Sequence, residues 1–264
     1  MPSTAQLTKD FTKIFGSLAR HQHRYETFTD FLELATCAIR KTTLPPGDQA
    51  DQLEARYMAV VKRHKADDIR TMPELLGITT LALQDGGCDF LGRVAGELEL
   101  LNGGMGQFFT PYDLSRMMAE MQLADAGPII EAKGFITVAE PACGAGGMIL
   151  AVADVLTKQG HDIGTTLYAD GTDLSEMCFR MAYIQTSLRG VPAMIRRGNT
   201  LSLEMFDQAR TPALLPFLLR HGDPFRQDEA ESSASIAAAT VPEPPRPAGQ
   251  PTTYRTQLGL FDFG

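Results

Sequence analysis

FITVAEPACGAGGMILAVADVLTKQG, residues 135 to 160, reads as a short strand, a glycine-rich turn and a helix that stops at Gly160. Phe135 to Glu140 is rich in β-branched and apolar residues, which suit a pleated sheet. The helical run after the glycines ends at Gly160, a common stop. Downstream the pattern repeats. TTLYADGTD (165 to 173) reads as a second strand, SEMCFRMAYIQTSLRG (175 to 190) as a helix closed by Gly190, and PAMIRRGN (192 to 199) as a third strand. Alternation of this kind predicts an α/β fold with a parallel sheet and right-handed crossovers.

Upstream, GQFFTPYDLSRMMAEM (106 to 121) predicts a helix start. Thr110 suits the N-cap, Pro111 the first helical position, and Asp113 the positive end of the helix dipole. Leu114, Met117, Met118 and Met121 share one face at helical spacing and are expected to bind this helix to a core. The lead-in, with Phe108 and Phe109, is not explained by folding alone. Residues 5 to 100 are mostly helical in pattern: KDFTKIFGSLARH, TDFLELATCAIRK, DQADQLEARYMAVVKRHK and MPELLGITTLALQ are separated by breakers such as Leu44-Pro45-Pro46-Gly47 and Gly86-Gly87.

A glycine-rich turn between a strand and its helix lets a ligand approach the backbone and meet unpaired N–H groups. Gly144, Gly146 and Gly147 offer this, although a tight β-to-α turn needs glycines too. Asp173 ends the second strand, where such folds place a carboxylate against ribose hydroxyls. Asn199 ends the third strand and carries an amide able to read an adenine edge.

GQFFTP, AEPACGAGGMILA, GTDLSEMCFRMAYIQTSLRG and RRGNTL together resemble the adenine-N6 DNA methyltransferases, especially the modification subunits of type I restriction systems, over about residues 88 to 202. The resemblance implies a class I S-adenosylmethionine-dependent methyltransferase sheet, Rossmann-like and truncated, behind an all-helical N-terminal domain. It implies that Phe108, Thr110 and Pro111 form a lid edge over S-adenosylmethionine. It places Glu140, Cys143, Gly144 and Gly146 around the methionine moiety, Asp173 on the ribose and Asn199 near the adenine, where the family usually has Asp. A core role for Phe108 and Phe109 is the alternative. A nicotinamide-dependent Rossmann enzyme is a weaker reading, opposed by the aromatic-Thr-Pro stretch and the Glu-Pro-Ala-Cys lead.

The family's Asn/Asp-Pro-Pro-Tyr/Phe signature, whose polar groups accept hydrogen bonds from the adenine amine, is absent. HGDPFRQ is the nearest relic, with Asp223, Pro224 and Phe225 as a reduced catalytic loop; Asp223 lies 79 residues beyond Gly144. The alternative is a plain loop. PALLPFLLRHG before it reads equally as strand or helix. Ending the sheet near residue 202 would bare the edge of the first strand. Either residues 212 to 220 cover it or the protein forms a homodimer there.

Residues 228 to 255 are Ala, Ser, Pro and Glu with few large apolar side chains, as in a disordered linker. Residues 256 to 264 are apolar again, and Gln257-Leu258-Gly259-Leu260-Phe261 resembles the bacterial sliding-clamp-binding pentapeptide. Its alternative is to fold back onto the chain. The resulting division is 1 to 104 helical, 105 to 227 methyltransferase-like, 228 to 255 linker and 256 to 264 clamp-binding-like.

A net charge of −8 disfavours a nonspecific nucleic-acid coat, because phosphate contacts need clustered Lys and Arg. Val61 to Lys65 (VKRHK) and Arg196-Arg197 are the local basic candidates. The four cysteines, Cys37, Cys88, Cys143 and Cys178, are too scattered for a zinc or disulfide framework, and His21 and His23 suggest surface histidines rather than a metal site. With no long apolar run and no signal sequence, a cytoplasmic protein is expected. Two functions compete: an adenine-N6 DNA methyltransferase using DNA and a possible specificity subunit, or a catalytically inactive cofactor-pocket module tethered to the clamp, in anti-restriction or mobile-element maintenance.

Overall fold

Apolar residues at helical spacing fold the first hundred positions into α1 (Thr4–Leu18), α2 (Arg24–Lys41), α3 (Asp48–Val61), α4 (Ala66–Leu83) and α5 (Phe90–Glu97). The structure, a computed structural model, describes residues 2–18, 23–100, 109–124 and 126–224. Phe11 is the hub of the helical core, meeting Phe31 edge-on at 5.6 Å and Phe90 at 5.9 Å between ring centroids. Edge-to-face pairs of this kind add to the burial of each ring. Helix α4 starts at Ala66 and carries Pro73 inside it, so the sequence expectation of a start at Met72 was six residues late. The apolar cluster continues without a break into Ala145, Leu150, Met181 and Ile184. Residues Met1–Pro224 form one compact unit.

Two helices precede the sheet, α6 (Tyr112–Gln122) and α7 (Ala126–Lys133). They are followed by β1 (Ile136–Glu140), α8 (Gly147–Lys158), the short α9 (Ile163–Thr166), β2 (Leu167–Asp173), α10 (Glu176–Leu188), β3 (Ala193–Asn199), β4 (Glu204–Arg210) and α11 (Leu214–His221). Strand order is β1-β2-β3-β4, parallel from β1 to β3 and antiparallel for β4. The strands bury Ile136, Leu167, Ala169, Ala193 and Ile195 in one cluster with α8 and α10. Gly171 permits that packing, since a Cβ there would stand 3.0 Å from Ile149 Cδ1. The second face is covered by α11, whose Phe217 ring packs 5.2 Å from Phe135 and 5.9 Å from Tyr168. The ambiguous PALLPFLLRHG stretch is therefore a helix lying on the sheet face. Among the described residues β1 has β2 as its one strand neighbour.

Helix α6 turns the opposite way from the sequence expectation. Leu114, Met117, Met118 and Met121 are 42, 52, 38 and 74% exposed, while Ser115 and Ala119 are buried. Small side chains let α6 approach α8 closely, and that contact fixes the face. Its cap also differs: Pro111 is the N-cap and Tyr112 the first helical residue, one position later than expected. The Tyr112 hydroxyl donates to Asp154 of α8, which also pairs with Arg189.

Strand β4 was not foreseen, because its side chains are exposed on both faces except the buried Ala209 and half-buried Asp207. Its outer edge is guarded: Arg40 donates from Nη2 to the Gln208 carbonyl at 3.0 Å, and the Gln208 amide donates to Asp207 Oδ1 at 2.7 Å. Edge groups satisfied by side chains do not recruit further strands.

Opposite outcomes are expected on the two sides of α6. Met121→Gln should change unfolding free energy by less than about 0.5 kcal/mol, whereas Ala119→Leu should cost roughly 1–3 kcal/mol by overpacking. Urea denaturation measures both, and equal effects would contradict the observed face.

Candidate functional site

The carboxyl ends of β1, β2 and β3 converge on the glycine turn. The Cys143 amide donates to the Thr172 carbonyl at 2.9 Å and the Gly146 amide to the Cys143 carbonyl at 2.8 Å, which folds residues 141 to 146 over the end of β2. The Gly144 amide donates to Asp173 Oδ2 at 2.9 Å, and the Ser175 amide to Asp173 Oδ1 at 2.8 Å. Each carboxylate oxygen keeps lone pairs for a ligand hydroxyl. Gly144 has φ +55°, a conformation that favours glycine, and the Phe109 ring lies 3.2 Å from where its Cβ would stand. Thr200 Oγ1 donates to the Pro141 carbonyl at 2.7 Å and binds the end of β3 to the same turn.

Of the residues singled out in the sequence, Glu140, Cys143, Gly144, Gly146, Asp173 and Asn199 are thus gathered at one end of the sheet. Thr110 and Pro111 are exposed, and the neighbouring Phe109 covers Gly144. Phe108 lies outside the described residues. Asn199 Oδ1 accepts from the amides of Leu201 at 3.0 Å and Ser202 at 3.3 Å, so its oxygen shapes the following turn. Its Nδ2 remains for a ligand.

Asp223 and Pro224 are not brought to this cleft, against the expectation from the Asp-Pro-Phe relic. They follow α11, whose His221 ring is 5.0 Å from that of Phe135, just before β1, and Asp223 acts electrostatically on Tyr168 near the start of β2. From Tyr168 to Asp173 is five residues of extended chain, roughly 16 Å at about 3.3 Å per residue. Asp223 therefore belongs to the amino ends of the strands. Phe225 and the residues Gln257, Leu258, Leu260 and Phe261 lie outside the described residues.

A buried polar cluster behind the turn escaped sequence reasoning. Asp89 is the N-cap of α5; its Oδ1 accepts from the Gly92 amide at 2.9 Å and from Gln185 Nε2 at 2.7 Å. Gln185 Nε2 also donates to the Ala145 carbonyl at 2.8 Å, and Gln185 Oε1 accepts from the Leu91 amide at 2.9 Å. Burial pushes the Asp89 carboxyl up from its ordinary value, opposed by the bonds from Gln185 and Gly92. The available signals were an Asp before an apolar run and a lone Gln inside an apolar helix.

The arginines and the histidine of the basic candidates are paired. Arg63 and His64 both contact Asp30, Arg196 pairs with Asp170, and Arg197 pairs with Glu176 while lying over the Phe206 ring. Among the described residues no group of His, Cys, Asp and Glu is placed to hold a metal ion, and no helix is long and apolar enough to cross a membrane.

A sulfonium nucleoside fits this site. Its ribose diol suits Asp173, and its positive charge suits a mouth whose nearby acidic groups are Glu140 and Asp173. The strands, glycine turn and carboxylate form a Rossmann-like site at the carboxyl ends of a four-stranded sheet. Residues 97–216 match the model of the N-6 DNA Methylase family. A type I restriction enzyme MjaIX methylase subunit from Methanocaldococcus jannaschii is 28% identical over 117 residues, 44% of this chain and 19% of that protein. The chain thus spans about a fifth of the length of that relative. A solved structure described as a class I S-adenosylmethionine-dependent methyltransferase from Listeria monocytogenes aligns at 12% identity over 83% of this chain and 71% of that one; the TM-score is 0.34, too low to carry an argument. Over these segments the chain is similar to the N-6 DNA Methylase family and to the methylase subunit of a type I restriction enzyme. That relationship implies S-adenosylmethionine as cofactor.

All four cysteines are buried and unpaired. Burial is the leading cause that raises each thiol: Cys37 and Cys88 to about 11, Cys178 to about 12, and Cys143 well above its ordinary value. At pH 8 a thiol of pKa about 11 is ionised in about one molecule per thousand, and the thiolate is the reactive form. A disulfide reagent at pH 8 should therefore label the folded protein slowly at every cysteine and rapidly in urea. Fast labelling of Cys143 in the folded state would contradict the closed turn.

Proposed function

We propose that this chain is the S-adenosylmethionine-binding part of an adenine-N6 DNA methyltransferase, with DNA as its substrate and the cytoplasm as its place of work. The observation that carries the reading is Asp173, held by the Gly144 and Ser175 amides at the mouth of the glycine turn. When bound, S-adenosylmethionine supplies a methyl group activated for transfer to a nucleophile. The residues of this chain orient it. Asp173 receives the ribose hydroxyls, the turn from Cys143 to Gly146 lies against the methionine end with Glu140, Asn199 offers Nδ2 to the adenine, and Phe109 with Thr110 and Pro111 closes one edge against water.

The position of Asp223 favours a second reading. A carboxylate at the amino ends of the strands is on the wrong side of the sheet to accept hydrogen bonds from an amine presented at the carboxyl ends. In that reading the chain holds the cofactor without turnover and is carried to replicating DNA by Gln257, Leu258, Leu260 and Phe261 bound to the sliding clamp. Partners that add a strand to β1, whether a second copy or a specificity subunit, fit either reading.

Transfer of tritium from methyl-labelled S-adenosylmethionine to adenine in plasmid DNA separates them. The methyltransferase reading expects incorporation that Asp173→Ala lowers at least tenfold and Asp223→Ala leaves within about twofold. Cofactor binding without incorporation supports the tethered module, and loss of incorporation in Asp223→Ala would contradict the assignment of that residue away from the chemistry.

For the tail, deletion of residues 257 to 261 is expected to abolish a complex with the purified clamp. A complex unchanged by the deletion, or none with the intact chain, would refute the tether.

A further inference from the structure

The cofactor turn is held from behind by Gln185 of α10, which is itself bonded to Asp89 at the head of α5, outside the segment that matches the family model. Ala145 lies between Gly144 at φ +55° and Gly146 at φ +91°. With a permissive residue on each side, the peptide joining Ala145 to Gly146 has little intrinsic reason to keep one orientation. Two bonds hold it: its N–H donates to the Cys143 carbonyl at 2.8 Å, and its carbonyl accepts from Gln185 Nε2 at 2.8 Å. Gln185 is fully buried in the middle of α10. Its amide bonds to the Ala145 carbonyl, to Asp89 Oδ1 and to the Leu91 amide, and none of these partners belongs to α10. Asp89 Oδ2 stands 3.3 Å from the position a Cβ would take at Gly147, the first residue of α8. Carboxylate and amide together fill the space between α5, α10 and the start of α8.

We propose that Gln185 and Asp89 are positioning residues for the cofactor turn: they fix the Ala145–Gly146 peptide, and through it the Gly144 amide that binds Asp173, so that α5 is a working part of the cofactor site. The proposal rests on the reading that this turn receives S-adenosylmethionine. A buried amide with a full set of partners defines one arrangement of the groups it joins, because each partner it lost would be left unpaired away from water. Among the hydrogen bonds described, the Gln185 amide is the side-chain donor to the Ala145 carbonyl.

The test uses the full chain without cofactor, then with it. Gln185→Met keeps length and volume but makes no amide bonds; Asp89→Ser keeps a cap for the Gly92 amide but is too short to reach Gln185. Amide hydrogen exchange, read by nuclear magnetic resonance, should quicken at least tenfold at Gly144, Gly146 and Gly147 in Gln185→Met and at least threefold in Asp89→Ser. Amides in the middle of β2 and β3 should keep their rates, which a general loss of stability would not allow. Calorimetric affinity for S-adenosylmethionine should fall at least tenfold in Gln185→Met. Unchanged turn exchange in both variants, or equal acceleration across turn and strands, would overturn the proposal. If the wild type bound no S-adenosylmethionine while the turn amides still quickened selectively, the positioning role would stand and the cofactor reading would fail. Should Gln185→Met not fold, the Asp89→Ser exchange pattern alone decides.

Discussion

The hydrogen bond from the Gly144 amide to the Asp173 carboxylate, 2.9 Å long, joins the turn after β1 to the end of β2. A parallel sheet sets these two chain ends side by side, since β1 and β2 pair in register from Ile136 with Leu167 to Glu140 with Gly171. The carboxylate would otherwise face unpaired backbone amides at the head of α8, and those amides would otherwise face solvent. The rest of the site follows from that pairing. Phe109 can rest on Gly144 because the turn is drawn down onto β2, and the lead-in to α6 is anchored where Tyr112 reaches Asp154 on the neighbouring helix.

How much of this could be read in the chain depended on whether one residue's environment was local. The three parallel strands and their helices were legible because short β-rich runs alternate with helical patterns and because Gly160 and Gly190 stop helices with positive φ. The ends of those strands, with Asp173 and Asn199, came with them. Helix α6 misled because its apolar stripe is real but unpartnered among the described residues, and the buried side belongs to Ser115 and Ala119. Strand β4 had no pattern to show, being a guarded edge with exposed side chains on both faces. The Asp223 relic had the right letters, but α11 carries it along the sheet to the amino ends of the strands. The Asp89–Gln185 pair joins residues 96 positions apart and has no signature in spacing at all.

Charge separates the cofactor pocket from whatever contacts nucleic acid. The chain carries 24 Lys and Arg against 32 Asp and Glu, and Arg63, Arg196 and Arg197 of the two basic runs are held in ion pairs with Asp30, Asp170 and Glu176. Those pairs hold helix to helix and strand to strand, and a guanidinium already shared with a carboxylate gives little to a phosphate. An acidic mouth, by contrast, is useful for a cationic donor. The carboxylates of Glu140 and Asp173 at this mouth suit the cationic donor that we propose for it.

Binding of a sulfonium nucleoside at the glycine turn and Asp173 is the central proposal for this site. Calorimetric titration of the whole chain with S-adenosylmethionine, and separately with oxidised nicotinamide adenine dinucleotide, measures it directly. The account predicts binding of S-adenosylmethionine in the micromolar range, on the order of −8 kcal/mol, with no detectable heat from the dinucleotide. Equal or tighter binding of the dinucleotide, or no binding of either, would contradict it.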